Sequence, residues 1–405
     1  MRRPAPPDRI EGGVWEVFRA FLRLGLTSFG GPIAHLGYFR DEFVVRRSWL
    51  GESEYAELIA LCQFLPGPAS SQVGMAIGLS RAGIGGALAA WCGFTLPSAL
   101  AMICFALGLA RWGAALPSHA LHGLKLVAVA VVAHAVWGMA RMFCIDRTRV
   151  LLAVASALLV LWWPQASMQA GVIVLGALAG LGLQRVAGRA EGGGLRVSLS
   201  LRYGMLMLLL FFGLLLLLPL AAGHSSSSNL QMFDGFYRSG ALVFGGGHVV
   251  LPLLQAEVVS PGWIGADEFL SGYGMAQAMP GPLFTFSAFL GVLLSAGPGG
   301  WIGGWMCLVA IFLPSFLLVL GVLPMWSRLR GMRGMQAALA GVNAAVVGLL
   351  LAALYDPLWT TAVRDSRDVA WVLVGVAALT WARWPAWGVV LAIGLGGALT
   401  AGFAG

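Results

Sequence analysis

The chain has 405 residues, of which 59% are apolar and only 10% are charged. A soluble domain carries about 25% charged residues, so this chain has too little polar material to cover a water-facing surface. This composition excludes a water-soluble enzyme and a disordered protein. With a mean hydropathy of +0.84, it predicts an all-α polytopic membrane protein that contacts the lipid bilayer.

The net charge of +8 has an ordinary explanation in a membrane protein. The basic residues, all arginine except Lys125, lie mostly between apolar runs, where the positive-inside rule accounts for them. We therefore expect no nucleic-acid partner. The five cysteines are odd in number and form no Cys-x-x-Cys pair, so we expect no disulfide framework, no metal site and no cofactor.

Apolar segments long enough to approach or cross a bilayer recur along the whole sequence. The first six lie at 14–38, 55–80, 83–110, 120–140, 150–163 and 168–187, and a seventh, almost pure Leu, Phe and Met, lies at 202–222. Six more lie at 232–254, 268–296, 299–324, 335–355, 369–383 and 386–403. The pattern predicts about thirteen transmembrane segments. Whether 55–80 and 268–296 cross the bilayer or re-enter stays open.

The distribution of arginine predicts the orientation of these segments. With the N-terminus in the cytoplasm, most arginine-rich loops fall inside, while the loops 162–167 and 223–230, which lack Lys and Arg, fall outside. The loop 40–57 disagrees, because it falls outside and carries Arg46 and Arg47. The pattern predicts a multi-pass protein of the bacterial inner (plasma) membrane with a cytoplasmic N-terminus.

The second half of the sequence repeats the first. A constant separation relates Phe21, Arg23, Gly25, Phe29, Gly30 and Gly31 to Phe236, Arg238, Gly240, Phe244, Gly245 and Gly246. Shorter matches follow in the same order, namely Gln63 with the Pro-Gly-Pro of 66–68 against Gln277 with that of 280–282, and the Leu-Pro-Ser of 96–98 against that of 313–315. We interpret these matches as a duplication.

The duplication divides the chain into units. We predict a cytoplasmic tail at 1–13, a first repeat at 14–188, a loop with a linker helix at 189–230 and a second repeat at 231–405. Because an odd number of predicted segments separates the two starts, the second repeat should face the opposite way. Inverted repeats with interrupted helices are typical of secondary transporters, whose substrate site lies at the repeat interface near the membrane midplane.

Glycine and proline interrupt the matched segments at four places. The interruptions are Gly30-Gly31-Pro32, Pro66-Gly67-Pro68, Gly245-Gly246-Gly247 and Pro280-Gly281-Pro282. Proline removes a backbone donor and stops a continuous helix, and a bilayer tolerates such a break only where protein or water satisfies the backbone. Each break creates helix ends, and a helix N-terminus suits an oxyanion. The alternative is that the breaks are packed kinks or re-entrant turns.

The breaks and their neighbours supply the candidate substrate-binding residues. These are Arg23, Ser28, Gly30, Gly31, Gln63, Pro66, Gly67, Pro68, Arg238, Gly245, Gly246, Gln277, Pro280, Gly281 and Pro282. Arginine suits bidentate binding of an oxyanion. In the alternative interpretation, both arginines lie near the membrane interface and snorkel, or they pair with nearby acids.

Six further residues are candidates for coupling or gating, namely Glu42, Glu257, Lys125, Asn343, His35 and His248. The two glutamates match in the repeats, and they suit a coupling proton, an arginine partner or simply a solvated helix end. Lys125 lies in an apolar segment and matches Asn343; snorkelling is the alternative for the lysine. The histidines do not align, and each either titrates or bonds to the backbone.

The sequence lacks the motifs of common enzymes. It has no Gly-Lys-Ser/Thr, no Gly-x-Ser-x-Gly and no His-Glu-x-x-His, so we expect no ATP hydrolysis and no enzyme. An intramembrane enzyme would need a paired acid and base or a metal within the apolar segments, and neither is evident. The spacing of Gly299 and Gly303 indicates close helix packing, either internal or between the protomers of a homodimer.

The motifs resemble those of a known family. LGLTSFGGPIAHLG (24–37), FLPGP (64–68), SGALVFGGGHVVLP (239–252) and QAMPGP (277–282) are similar to signatures of the chromate ion transporter family, over nearly the whole chain. The resemblance implies an inner-membrane exporter of chromate that is coupled to the proton gradient, confers chromate resistance and handles chromate as a sulfate analogue. A carrier of sulfate or another anion is the alternative. The second copy departs from the first by having Gly247 where the first has Pro32.

Overall fold

The computed structural model describes residues 13–112, 118–183, 199–329 and 332–401, and within these ranges the chain is helical without a strand. Residues 1–12, which make up nearly all of the predicted tail at 1–13, lie outside the described residues. Residues 184–198, which include the end of the first predicted repeat, also lie outside them. The helices are α1 (Val14–Thr27), α2 (Gly31–Phe39), α3 (Glu52–Phe64), α4 (Ala69–Trp112), α5 (Ser118–Phe143), α6 (Arg147–Trp162), α7 (Ala166–Leu183), α8 (Leu201–Gly223), α9 (Ser228–Ala241), α10 (Val250–Val258), α11 (Ala266–Ala276), α12 (Phe286–Leu293), α13 (Gly300–Val322), α14 (Trp326–Leu329), α15 (Arg333–Ala353), α16 (Thr360–Ala362), α17 (Ser366–Thr380) and α18 (Ala386–Ala401).

Short irregular turns extend several of these helices. A π-helical turn at Arg40–Arg46 follows α2, another at Leu354–Trp359 follows α15, and 3₁₀ turns lie at Gly247–Val249, Leu283–Thr285 and Leu323–Met325. The backbone of α4 leaves helical geometry at Ala82 and Gly83. We therefore treat α4 as two arms, a first arm at 69–81 and a second arm at 84–112.

Five helical stretches in the described ranges are long and apolar enough to cross a membrane. They are Ala69–Trp112, Leu121–Phe143, Leu201–Gly223, Gly300–Met325 and Gly334–Ala362. The third of them coincides with the predicted linker helix. These stretches confirm an all-helical, multi-pass membrane protein, but they do not confirm thirteen crossings.

The first predicted segment, 14–38, is a hairpin of two helices and not one continuous helix. Glu16 in the first turn of α1 lies 3.6 Å from Arg47, which follows the extension of α2, so the chain returns to the end at which it entered. Phe21 of α1 meets Phe39 of the returning arm edge to face, with ring centroids 5.5 Å apart. The sequence shows where this helix breaks, but the direction of the chain after the break depends on these long-range contacts.

A second hairpin follows at the same end of the molecule. Arg81, at the end of the first arm of α4, lies 3.8 Å from Glu16, and Arg40 forms an ion pair with Glu52 at the start of α3. The chain therefore enters along α3, turns after residue 64 and returns along the first arm of α4. The segment 55–80, whose course the sequence left open, is therefore a hairpin of two antiparallel helices.

The second half of the chain forms the same two hairpins. Arg238 of α9 lies 3.0 Å from Glu257 of α10, so these two helices are the antiparallel arms of one hairpin. Ser295, after α12, donates hydrogen bonds from its backbone N–H and its hydroxyl to the carbonyl of Trp263, both at 3.0 Å. Helices α11 and α12 are therefore the arms of another hairpin, which contains the segment 268–296.

The two pairs of hairpins start at opposite ends of the second arm of α4. Near its start, a Cβ added to Gly85 would lie 3.2 Å from Val14, at the base of the first pair. Near its end, Leu109 lines a cavity together with Trp263, at the base of the second pair. At 1.5 Å per residue, this helix separates the two bases by roughly 35 Å, which is comparable to the thickness of a bilayer.

Matched glycines bring the helices of each repeat into close contact. Gly25 of α1 lies against the backbone of Gly93 and Phe94 in α4, and Gly240 of α9 lies against the backbone of Ile311 in α13. A side chain at either glycine would collide with a carbonyl oxygen of the facing helix. Helices in lipid associate through such close approach, because lipid tails are as apolar as the side chains. The two repeats therefore share their internal packing.

Candidate functional site

The turns of the four hairpins, which we call the tips (28–32, 65–68, 242–247 and 277–282), meet inside the molecule. The N–H of Gly67 donates to the carbonyl of Val243 at 2.7 Å, and the N–H of Gly281 donates to the carbonyl of Ser28 at 2.9 Å. The donors occupy matched positions in the two repeats, and so do the acceptors. Each Pro-Gly-Pro turn therefore bonds reciprocally to the other repeat and satisfies backbone groups that a bilayer would leave orphaned.

Two serines extend this reciprocal arrangement. A Cβ added to Gly67 would lie 2.5 Å from the hydroxyl oxygen of Ser315, and one added to Gly281 would lie 2.9 Å from that of Ser98. Both glycines have a positive φ, 121° and 90°, which residues with a side chain rarely adopt. The sequence analysis found the Leu-Pro-Ser motif in both repeats but gave its serines no role. The sequence signal that could have identified these serines is a polar residue directly after a proline in an apolar helix.

The two halves also touch at one matched position. A Cβ added to Gly247 would lie 3.4 Å from the Cγ atom of Pro32, and these two residues occupy the same place in their repeats. Contact between equivalent positions is the geometry expected close to a two-fold axis.

Every tip leads into the start of a helical segment. The starts are Gly31 for α2, Ala69 for α4, and Gly247 and Leu283 for the 3₁₀ turns that precede α10 and α12. The first N–H groups of a helix lack internal partners, and its N-terminus carries a partial positive charge. The tip sequences contain no acidic residue. The meeting point of the tips is therefore rich in hydrogen-bond donors and favours an anion.

Several buried polar atoms in and beside the tips have no hydrogen-bond partner within the described ranges. They are Ser28 Oγ, Ser71 Oγ, Gln72 Oε1, Gln277 Nε2 and Ser315 Oγ. An unsatisfied buried polar atom costs about 1–3 kcal/mol, so a group of them calls for an explanation such as a bound ligand or water. Four of the five belong to hydroxyl or amide groups that can donate to an oxyanion through the atom named.

The two candidate arginines lie in different surroundings. Arg238 lies 3.0 Å from the carboxylates of both Asp234 and Glu257, so two acids already hold its guanidinium. Arg23 is exposed on α1, and its side chain forms no ion pair with any described residue. The matched arginines therefore do not form a symmetric pair of anion ligands.

The glutamines beside the Pro-Gly-Pro turns also differ. Gln63 is exposed on α3, whereas Gln277 is half-buried. Gln72, in the first turn of α4, donates its side-chain amide to the carbonyl of Pro66 at 2.7 Å. Gln72 thus caps the broken backbone, although the sequence gave it no role. Nothing in the repeat pattern marks Gln72, because its counterpart is Phe286.

The candidate coupling glutamates are both in ion pairs. Glu42 lies at the base of the first hairpin and accepts hydrogen bonds from Arg46 and Arg47. Burial raises the pKa of the Glu42 carboxyl, but the two arginines outweigh this and hold the pKa below its usual value. Glu42 therefore stays ionised near neutral pH. Glu257 shares Arg238 with a second acid, so its cluster has two carboxyl groups against one guanidinium.

The two candidate histidines connect hairpins within their own repeats. His35 of α2 is buried, with its Nδ1 atom 3.3 Å from the hydroxyl of Ser70 in the first arm of α4. His248, beside α10, places Nδ1 2.8 Å from the hydroxyl of Tyr273 in α11. The histidines do not align in sequence, yet each joins the first hairpin of its repeat to the second.

Lys125 and Asn343 match in sequence but lie at different places. Lys125 is buried in α5 and forms an ion pair with Asp267 at 2.7 Å. Asn343 of α15 lies beside a tip, because its Oδ1 atom would be 3.5 Å from a Cβ added to Gly245. In the described part of the chain, no group of three or more His, Cys, Asp or Glu side chains is arranged to hold a metal ion.

Comparison with known proteins identifies the family. The family model named chromate transporter matches residues 15–181 and 230–399. The chain belongs to the chromate transporter family. As a member of this family, the chain is 29% identical over 358 residues to the chromate transport protein of Pseudomonas aeruginosa, covering 86% of this chain and 82% of that one. The chromate transport protein of Cupriavidus metallidurans is 26% identical over 379 residues, 87% of each chain.

Another relative is about half as long as this chain. The uncharacterized transporter YwrA of Bacillus subtilis is 26% identical over 178 residues, which are 42% of this chain and 96% of YwrA. No solved structure matches the chain. The resemblance of the tip motifs to the chromate ion transporter family is therefore confirmed, and a role in chromate transport follows from membership.

Proposed function

We propose that the protein exports chromate from the cytoplasm of a bacterium, and that the anion binds where the four tips meet. The observation that carries this proposal is the reciprocal pair of hydrogen bonds, Gly67 to Val243 and Gly281 to Ser28. It brings the interrupted backbone of both repeats to one place, which is the arrangement of substrate sites in transporters built from repeats.

In the bilayer we propose four re-entrant hairpins and about nine crossing segments, in place of thirteen crossings. The crossing segments are the second arm of α4, α5, α6, α7, α8, α13, α15, α17 and α18. Five of them, the second arm of α4 and α5 to α8, lie between the first pair of hairpins and the second. Because five is an odd number, the second repeat is inverted. The half-length relative supports the view that one repeat is a structural unit.

The charges at the two bases support a cytoplasmic location for the first pair of hairpins. Arg40, Arg46, Arg47 and Arg81 lie at that base, as the positive-inside rule favours. With thirteen crossings, the loop 40–57 fell outside and opposed the rule. With re-entrant hairpins, the same loop falls inside and agrees with it.

The chemistry at the tips suits a tetrahedral dianion. Chromate offers four acceptor oxygens, and the tips offer helix N-termini together with the hydroxyls of Ser28, Ser71 and Ser315. The N–H of Gly67 and that of Gly281 each hold a carbonyl of the opposite repeat. We propose that the anion replaces one of these carbonyls at a time, so that the site opens toward one side of the membrane and then the other.

The membrane potential favours export. A potential of 100 mV, negative inside, is worth ~2.3 kcal/mol per charge. A dianion that leaves the cytoplasm therefore gains ~4.6 kcal/mol, about a 2,000-fold concentration ratio. Proton coupling would add to this, and the cluster of Asp234, Arg238 and Glu257 is the better candidate to take a proton, because it has two carboxyl groups for one guanidinium.

A carrier of sulfate is the second candidate, because sulfate is also a tetrahedral dianion and the donors at the tips do not distinguish the two by shape. Competition between them measures the preference. Sulfate that inhibits chromate flux only in large excess would favour a chromate carrier, and sulfate that inhibits at equal concentration would favour a general dianion carrier.

Flux through purified protein tests the proposal. Proteoliposomes loaded with chromate should release it faster when a potassium gradient and valinomycin make the lumen negative, and protein-free liposomes should not. We expect about a 2,000-fold ratio at equilibrium for each 100 mV. Release no faster than from protein-free liposomes would overturn the transport function, and potential-independent release would overturn movement of a net charge.

A further inference from the structure

A cavity of about 710 Å³ opens at the base of the second pair of hairpins. This volume lies within the usual range for small-ligand sites, about 300–1,000 Å³. Its charged lining comes from α5, from α11 and from the loop before α17. The residues concerned are His122, Lys125, Asp267, Glu268 and Arg364. The tips are not part of this lining, so the cavity is a separate place on the molecule.

Lys125 is the buried charge of this cavity. The residue is 4% exposed, and its neighbours Leu126 and Val127 in α5 are 1% and 0% exposed. A buried ammonium needs an anionic partner, because leaving it without one is costly. The partner is Asp267, whose carboxylate lies 2.7 Å away and whose side chain is 61% exposed. Asp267 can therefore move into water at little cost, whereas Lys125 cannot.

The other charged residues of the cavity do not hold Lys125. Asp368, beside the cavity, holds His122 through one carboxylate oxygen at 2.8 Å and the N–H of Arg364 through the other at 2.9 Å. Glu268 is exposed and forms no ion pair with Lys125. Lys125 is thus the buried cation of this cavity, held by an exposed and exchangeable partner, whereas the guanidinium of Arg364 is at an exposed position and only its backbone N–H is held by Asp368.

The partner of Lys125 belongs to the hairpin that carries a Pro-Gly-Pro turn. Asp267 lies in the first turn of α11, and α11 leads to the tip at 277–282. The same face of α11 lies on α5, because Gly274 packs against the backbone of Leu124. The ion pair therefore fixes the base of this hairpin to α5.

We propose that Lys125 forms a second binding site for the transported anion, which we call the second station, and that the dianion displaces Asp267 there. The proposal rests on the proposed function, since the dianion that reaches the cavity is the one that passes the tips. When the anion takes Lys125, Asp267 moves into water, and the ion pair that fixes the base of the α11–α12 hairpin to α5 is released. When the anion leaves, Asp267 returns, and the competition keeps the affinity of this station low.

The variant Asp267→Asn tests this displacement; it leaves the ammonium of Lys125 without its carboxylate, so thermal unfolding of the variant is measured alongside binding to show that it is folded. Removing the competing carboxylate should lower the Kd of one chromate site by about tenfold, or about 1.4 kcal/mol, in equilibrium dialysis of the purified protein with sodium chromate. Chromate turnover should fall, because release slows. Glu268→Gln is the matched control, since Glu268 lines the same cavity without holding Lys125, and its Kd should stay within about threefold of the wild-type value.

A double variant separates the lysine from general charge effects. Lys125→Met combined with Asp267→Asn leaves no unpaired charge, and it should lose the tightened site. Retention of that site would overturn the proposal, as would equal tightening by Glu268→Gln. If wild-type protein moves chromate while Asp267→Asn binds it with unchanged affinity, the second station alone is lost. If wild-type protein neither binds nor moves chromate or sulfate, the proposed function is lost and this inference with it.

Discussion

The two repeats share their backbone contacts but differ in the side chains around them. Gly67 and Gly281 make equivalent bonds to the opposite repeat, whereas Arg23 is exposed and its counterpart Arg238 is held by two acids. Symmetric contacts suit a cycle with two mirror-related states, because each state then forms the bonds that the other loses. The side chains around this frame make the two halves chemically different, while the membrane potential would set the direction of net anion flux. The comparison therefore separates a backbone frame that the repeats share from the charged side chains in which they differ.

The difference between Arg23 and Arg238 predicts the largest effect, which is on the stability of the protein. Arg238→Gln leaves Asp234, whose side chain is 5% exposed, and Glu257 buried without a cation, which should cost about 3–5 kcal/mol of stability. Arg23→Gln should change stability by less than about 0.5 kcal/mol, because it removes an exposed side chain. Thermal unfolding of both variants in detergent measures the difference.

A triple variant sharpens this result. Asp234→Asn, Arg238→Gln and Glu257→Gln together remove the whole cluster, and neutral replacement of a complete buried ion pair is often close to neutral for stability. We expect the triple variant to recover most of the loss. Equal instability of the Arg23 and Arg238 single variants would contradict the asymmetry of the repeats.

The tip glycines predict the next largest effect, which is on chromate flux. Gly67→Ala and Gly281→Ala each force a side chain into a left-handed conformation, at about 1–3 kcal/mol, and press it against Ser315 or Ser98. Chromate flux in proteoliposomes should fall at least tenfold in both variants, or about 1.4 kcal/mol. Gly37→Ala is the control, because a Cβ there meets nothing within 4 Å. Loss in one glycine variant with full activity in the other would show that the tips are not equivalent.

The tip serines predict a smaller and unequal effect. The hydroxyl of Ser98 already donates to the carbonyl of Thr95 at 3.1 Å, whereas that of Ser315 has no partner among the described residues. A hydrogen bond to a charged ligand contributes about 1.5–3 kcal/mol, so Ser315→Ala should raise the KM for chromate by about tenfold. Ser98→Ala should raise it less, and Ser80→Ala, which removes a similar local bond away from the tips, should leave it unchanged. Equal KM values for all three would remove the serines from the site.

The sequence predicts the positions of the breaks well but not their geometry. Proline and glycine at 66–68 and 280–282 stop a helix by local chemistry, so these breaks follow from composition alone. Whether the chain continues across the bilayer or turns back depends on contacts such as Glu16 with Arg47, which join residues on different helices. Local patterns carry no information on such pairs, and for this reason 14–38 was predicted as a crossing.

The candidate site shows the same limit. The repeat pattern identifies Gly67 and Gly281, because a backbone break is visible in both copies. It misses Gln72, which caps Pro66, since the cap has no counterpart in the second repeat. It also gives Arg23 and Arg238 one role, although the acid that distinguishes them, Asp234, occupies the place of Arg19 in the first repeat.

The sidedness of the two hairpin bases is the most direct test of the account. In a variant whose five native cysteines are replaced by alanine, Gly51→Cys reports on the base of the first pair and Ser260→Cys on the base of the second; both positions are exposed. A membrane-impermeant maleimide added to intact cells should label Cys at position 260 and not at position 51, and everted vesicles should give the reverse. Labelling of both positions from the same side would contradict the account, because the two pairs of hairpins would then enter together.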